Sequence, residues 1–214
     1  MEPKLRVTEI FKSLQGESTR AGFPCAFIRL TGCSLRCVWC DTAYAFSGGK
    51  EMSVSEAAKQ TLDLGTDLIE ITGGEPLEQE AVYPLIERLL EHDRTVMIET
   101  GGHVRVDRLD PRVIKILDVK APGSGMQAAN LPENLELLGP RDEIKFVLAD
   151  RPDFDWALQQ VRSRDLDRRN SVTFSPVWEK LAPAQLGEWI RDSGRKIRLG
   201  VQLHKILWGD VPGR

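Results

Sequence analysis

The sequence predicts an α/β fold of six to seven mostly parallel strands arranged as an incomplete β/α barrel. Three observations carry this expectation. Short apolar runs rich in β-branched residues recur along the chain. Stretches with helical spacing lie between several of them, as parallel neighbours require, since they are joined by crossovers that are usually helices. There are too few strand and helix pairs for a full barrel of eight. A doubly wound open sheet has the same alternation, and periodicity alone does not separate the two.

The elements follow in chain order. "CAFIRL" (25 to 30) reads as the first strand. In "SVSEAAKQTLDLG", Ser53 and Glu56 form a capping box and Gly65 a stop signal, which marks a helix. "LIEIT" (68 to 72) is the second strand, followed by a helix in "EQEAVYPLIERLLEHD". Pro84 sits near the first turn of that helix or bends it, and His92 at its end suits the helix dipole. "TVMIET" (95 to 100) and "VIKILDV" (113 to 119) are the third and fourth strands. The stretch 121 to 143 is rich in Gly, Pro and Asn and reads as a long irregular connection, either a lid or a solvated linker with one short helix. "EIKFVLA" (143 to 149), a helix in "FDWALQQVRSRDL", "SVTFS" (171 to 175), a helix in "APAQLGEWIRDSG" and "IRLGVQL" (197 to 203) complete the alternation.

A chain of 214 residues, 41% hydrophobic and 29% charged, is expected to form one domain spanning 1–214. Its net charge of -3 gives no footprint for direct binding to nucleic acid or to an anionic membrane. No run approaches the roughly 20 apolar residues of a membrane span, and "MEPKLRVTEIFKS" lacks the apolar centre of a secretory signal. A cytoplasmic location is therefore expected, where clustered cysteines point to metal rather than to disulfides.

Three of the four cysteines fall in "CSLRCVWC" (33 to 40), while Cys25 stands apart and reads as a small buried hydrophobe. A structural zinc site is closed by four ligands, and none of His92, His103 and His204 belongs obviously with the cluster. The spacing Cys33-x3-Cys37-x2-Cys40 suits a cubane iron-sulfur cluster with one iron left open. An open iron can bind a small molecule and pass it an electron.

That triad, in the loop after the first predicted strand, resembles the radical S-adenosylmethionine (SAM) enzymes. The resemblance implies a radical SAM type barrel and a [4Fe-4S] cluster held by Cys33, Cys37 and Cys40. It also implies that SAM sits on the open iron and is split on reduction to a 5'-deoxyadenosyl radical. "TGGEP" (72 to 76) strengthens it, because that family has a glycine-rich segment after its second strand. Together "SLQGES" (13 to 18), "FIRLTGC" (27 to 33), "CDT" (40 to 42), "ITGGEP" (71 to 76), "DVKAP" (118 to 122) and "QLHK" (202 to 205) resemble the 7-carboxy-7-deazaguanine synthase family, from about residue 8 to the C-terminus.

The resemblance implies a lyase that converts 6-carboxy-5,6,7,8-tetrahydropterin into 7-carboxy-7-deazaguanine with loss of ammonia, on the route to 7-deazapurines such as queuosine. By the same carry-over, Leu14, Gln15, Gly16, Glu17, Arg29, Thr72, His204 and the C-terminal carboxylate of Arg214 meet the pterin, with Glu17 and Arg29 catalytic. Asp41, Gly73, Gly74, Glu75, Asp118, Lys120, Ser175 and Pro176 line the SAM and cluster side, and Thr42 is a magnesium ligand. A one-electron reductant such as flavodoxin or ferredoxin and a homodimer are implied as partners. Arginine's planar fork does match a carboxylate, and Glu and Gln can read a pterin edge.

Plainer readings stand beside these. Arg29 could be a partly buried ion-pair member, Thr42 a helix cap or turn residue, Asp118 and Lys120 a surface bridge, and His204, closing the last strand, a satisfied core or rim residue. At the level of function the alternatives are a glycyl-radical-enzyme activase, which shares the cysteine spacing, and a non-catalytic iron-sulfur or zinc protein.

Overall fold

The computed structural model describes residues 2–209, 211 and 213. It opens with an antiparallel hairpin, β1 (Lys4–Leu14) and β2 (Pro24–Leu30), and a short antiparallel edge, β3 (Lys50–Ser53), on the outer side of β1. From there α1 (Val54–Leu62), β4 (Leu68–Gly73), α2 (Val82–Leu90), β5 (Thr95–Thr100) and β6 (Ile114–Asp118) follow. Next come α3 (Glu133–Glu136), β7 (Glu143–Leu148), α4 (Arg151–Arg164), α5 (Leu166–Arg169), β8 (Ser171–Pro176), α6 (Pro183–Asp192), β9 (Ile197–Leu199) and α7 (Leu203–Trp208). One nine-stranded sheet runs β3-β1-β2-β4-β5-β6-β7-β8-β9, parallel from β2 onward and not closed. The predicted incomplete barrel is the architecture observed.

Two expectations need correction and a third gains detail. There are nine strands rather than six or seven, because β1 and β3 lie at the exposed end of the sheet. Lys4, Arg6 and Lys12 of β1 interrupt the apolar runs by which strands were recognised. The last strand stops at Leu199, and Leu203 starts a helix, so His204 lies on α7 rather than at a strand end. The stretch 121 to 143 carries one short α-helix, α3, and exposes about half its residues, as the linker reading expects, but it is pinned to the body of the protein. Asn130 makes two hydrogen bonds of 2.9 Å with the backbone of Lys120. Buried Asn134 donates to Gly102 O and Val104 O and accepts from Val106 N.

Local expectations hold where side chain and backbone chemistry coincide. Ser53 Oγ accepts from Glu56 N at 3.1 Å and caps α1, and Gly65 takes the positive φ that ends the segment. Pro84 falls in the first turn of α2, where its missing N–H breaks no helical bond.

Alternation of side chains across the parallel strands gives the sheet two unlike faces. Ile69, Ile71, Val96, Ile98, Leu117, Ile144, Phe146, Val172 and Phe174 belong to the large core that also takes in α1, α2, α4 and α6. The other set of strand residues faces the barrel interior. Its floor is a smaller apolar cluster of Cys25, Phe27, Leu68, Met97, Ile114 and Ile116, with Phe11 against it. Cys25 is thus the buried hydrophobe expected, and burial pushes its thiol pKa up. Above that floor the interior turns charged, with Glu70, Glu99 and Lys145 at mid-height, and toward the C-terminal strand ends it opens into a cavity. Among the described residues no helix is long and apolar enough to cross a membrane.

Candidate active site

One cavity of about 650 Å³ at the C-terminal ends of the strands is lined by every predicted site residue except Arg214, which lies outside the described residues. Sheet register accounts for this convergence. Arg29 at the end of β2 pairs with Thr72 at the end of β4, and Asp118 and Ser175 end or nearly end β6 and β8.

Cys33, Cys37 and Cys40 are free, partly buried thiols on the loop after β2. Burial pushes the Cys33 thiol up to about 11 and raises that of Cys37. Neighbouring elements brace the loop: Ser34 N donates to Glu78 at 2.9 Å, Val38 N to Ser124 O at 3.0 Å and Arg36 N to Met126 Sδ at 3.4 Å. Three soft donors in one braced loop, facing a cavity large enough for a cosubstrate, fit an iron-sulfur cluster with an open corner. Beside them Asp118 Oδ2 pairs with Lys120 Nζ at 2.9 Å. Asp118 Oδ1 is buried and takes no hydrogen bond in the described structure, so a polar acceptor is left facing the cavity. The pair is buried inside this cavity, not a surface bridge.

The glycines after β4 answer first to the protein itself. A Cβ on Gly73 would meet Leu30 O at 2.3 Å, and one on Gly74 would meet Gly32 O at 2.0 Å and Cys33 Cβ at 2.9 Å. Side-chain-free backbone is what lets β4 press against the start of the cysteine loop, where Glu75 N donates to Gly32 O at 2.7 Å. The Glu75 carboxylate accepts from Leu77 N, Thr100 Oγ1 and Gly101 N and ties the ends of β4 and β5 together. Burial raises its pKa against those hydrogen bonds.

Across the cavity, charged groups hold one another. Arg29 Nε donates to Glu9 at 2.7 Å, with its guanidinium near the Tyr44 ring and Tyr44 Oη donating to the same Glu9 oxygen at 2.8 Å. Lys145 bridges Glu17 and Glu99. Burial opposes the charge of Lys145, yet the two carboxylates outweigh it and raise its pKa well above the usual lysine range. Gln15 donates to Glu70 and accepts from Glu17 N at 2.9 Å, so both ends of its amide have protein partners. Glu70 is forced well above the ordinary glutamate range by burial and by the charges of Glu99 and Glu17.

Asp41 accepts from Gln202 at 2.9 Å and Lys205 at 3.2 Å, which ties the cysteine loop to the segment around α7. These contacts hold its carboxyl below the usual range although burial pulls the other way. Thr42 is a turn residue before a 3-10 turn, and its side chain makes no capping bond, so of its plainer readings the turn stands and the cap fails; Oγ1 lies 3.7 Å from Cys40 Sγ. His204 is half-buried against Gly16, and burial lowers its pKa.

A profile of the radical SAM superfamily matches residues 27–128. A 7-carboxy-7-deazaguanine synthase from Koribacter versatilis is 43% identical over 95% of this chain and 97% of its own length. One from Chlorobaculum tepidum is 40% identical over 97% and 96%. The chain belongs to the 7-carboxy-7-deazaguanine synthase family. The crystal structure of QueE from Escherichia coli superposes with a TM-score of 0.74 at 23% identity, covering 94% of this chain and 95% of that one, and has the same fold.

As a member of the 7-carboxy-7-deazaguanine synthase family the chain is a radical SAM enzyme, and the site contains residues that the motifs did not reveal. Glu70, Glu99 and Lys145 each interrupt an apolar strand run at an interior-facing position. A charge inside "LIEIT", "VMIET" or "EIKFV" was the available signal, because a buried charge requires a partner. Tyr44 and Glu9, which flank Arg29, carried none. His103, which had no evident link to the cysteines, comes with Glu78 to within 4.8 Å of Cys33 Sγ.

Proposed function

We propose that the chain is the lyase converting 6-carboxy-5,6,7,8-tetrahydropterin into 7-carboxy-7-deazaguanine with loss of ammonia. The supporting observation is full-length similarity to relatives of that name in a chain whose three clustered cysteines and the residues expected to meet the pterin line one cavity, Arg214 lying outside the described residues. The activase alternative accounts for the cysteine spacing but not for that similarity.

In this reading Cys33, Cys37 and Cys40 hold the cluster, and the Gly73–Gly74 backbone with Asp118, Lys120, Ser175 and Pro176 receives SAM. When bound, cluster and SAM supply the one-electron chemistry that removes a hydrogen atom from the substrate. The protein orients the pterin and excludes side reactions. Arg29 keeps part of its fork free beyond the Glu9 contact and pairs with the substrate carboxylate. Glu17, released from Lys145, accepts from the pterin's N–H groups, while Gln15 positions Glu17 through its amide. Thr42 would give magnesium one hard oxygen, the donor type that ion prefers. His204 on α7 and Thr72 on β4 bound the substrate from opposite sides of the cavity. A flavodoxin- or ferredoxin-type donor and a homodimeric assembly complete the proposal.

Anaerobic turnover with reductant, SAM, magnesium and the carboxy-tetrahydropterin tests it. The expected product has lost the mass of ammonia. SAM cleavage with the pterin intact after many enzyme equivalents would keep the radical chemistry and remove this substrate.

A further inference from the structure

One set of three metal-ligating side chains converges among the described residues, and it is not the cysteine triad. Cys33 Sγ, a Glu78 carboxylate oxygen and a His103 ring nitrogen all lie within 4.8 Å of one another. The fold delivers them from adjacent strand ends: Cys33 follows β2, Glu78 ends the 3-10 turn after β4, and His103 follows β5, and these strands are neighbours in the sheet. The His103 side chain is only 9% exposed. Its Nε2 meets Glu78 Oε1 at 2.8 Å, while its Nδ1 is buried without a hydrogen bond. Ser34 N fixes the same Glu78 oxygen at 2.9 Å.

One thiolate, one imidazole and one carboxylate form a borderline-soft donor set of the kind that binds Zn²⁺, with the fourth position open to water. Thiolate and carboxylate together balance the charge of the ion, and the Cys33 proton leaves to solvent as the metal enters. Cys37 and Cys40 take no part. Because Cys33 is also the first thiol of the triad, one chain cannot use it for both purposes.

We propose that Cys33, Glu78 and His103 form a mononuclear zinc-class site, available only while the chain lacks its cluster, and that a metal bound there blocks cluster assembly. The chain thus has two metallation fates that divide at Cys33. Zinc holds it inactive, and removal of the zinc returns Cys33 to the triad.

The first test is a Co²⁺ titration of the full-length, cluster-free Cys37→Ser/Cys40→Ser chain, followed by the thiolate-to-cobalt absorption band. One equivalent should bind, Zn²⁺ should displace it, and adding His103→Ala or Glu78→Gln should weaken binding on the order of a hundredfold. The second test is anaerobic reconstitution of the cluster in the unsubstituted chain. Preloaded Zn²⁺ should slow iron uptake at least about tenfold, EDTA should restore it, and His103→Ala should take up iron with zinc present as fast as without it. No cobalt band in the double-serine chain would overturn the proposal, as would an affinity indifferent to His103. Zinc inhibition that persists in His103→Ala would assign the metal to the three cysteines instead. None of these readouts uses the pterin, so the site and the substrate assignment stand or fall separately.

Discussion

Glu70 shows at single-residue scale how the interior is arranged. It is buried beside two further carboxylates, Glu17 and Glu99, which Lys145 bridges. Burial first, and then the charges of Glu99 and Glu17, raise its pKa well above the ordinary value. A carboxyl raised in the folded state adds stability that is complete below the unfolded pKa and is lost as pH rises toward the folded one. Glu70→Gln keeps an oxygen to accept from Gln15 and removes the titration, so it should be more stable than the unsubstituted chain at neutral pH. Its advantage should shrink by up to about 1.4 kcal/mol per pH unit as pH falls toward the ordinary glutamate pKa near 4.3. Urea unfolding of both chains from pH 5 to 8 measures this, and a pH-independent difference would contradict it. The same residues mark where sequence reading stopped. The cysteines and Arg29 sit in short recognisable strings, whereas Glu70, Glu99 and Lys145 acquire their roles from three strands that meet only in the folded sheet.

The parallel strands and main helices were legible because each combines an apolar run with a local stop or cap. β5 runs from Thr95 to Thr100 as expected, and the Ser53 cap and Gly65 stop bracket α1. β1 and β3 were not legible, and β9 was read at its start but carried four residues too far. Exposed lysines and an arginine interrupt β1, and the three residues of β9 are held by pairing with β8 and by close passage over it, a Cβ on Gly200 falling 2.5 Å from Ser175 Oγ. The junction between β4 and the cysteine loop is the contact between elements on which the site depends most directly. Gly74→Ala would drive a methyl into Gly32 O and Cys33 Cβ, so the loop has to move. The expected cost is about 1–3 kcal/mol of stability, accompanied by a loss of more than half the cluster iron after reconstitution. Ser53→Ala is the control: it should cost a similar ~1 kcal/mol through its lost cap and leave iron content unchanged. Equal iron content in the two variants would show that the junction does not position the cysteines.

The sheet of the whole molecule does not close, so the cavity needs walls that are not strands. Arg198 of β9 itself reaches the turn after β1 at Ser18 O, 3.4 Å away, and the segment after β9 supplies a wall together with that turn, Leu203 N donating to Gly16 O at 2.9 Å. The same segment reaches the cysteine loop through Gln202 and Lys205 on Asp41, and His204, Val211 and Gly213 line the cavity itself. The last strand of the sheet ends at Leu199, before this segment, and the loop braces at Ser124, Met126 and Glu78 lie elsewhere. Deleting residues 201–214 should therefore leave the far-UV circular dichroism and the iron content near those of the full chain. The pterin should lose one wall, and the SAM side only the Gln202 and Lys205 contacts to Asp41. KM for the pterin should rise at least about tenfold, equivalent to about 1.4 kcal/mol, and SAM cleavage should become uncoupled from pterin consumption. An unchanged KM with coupled turnover would mean that the open side of the barrel needs no cover. Loss of the circular dichroism signal would instead mean that this segment stabilises the fold.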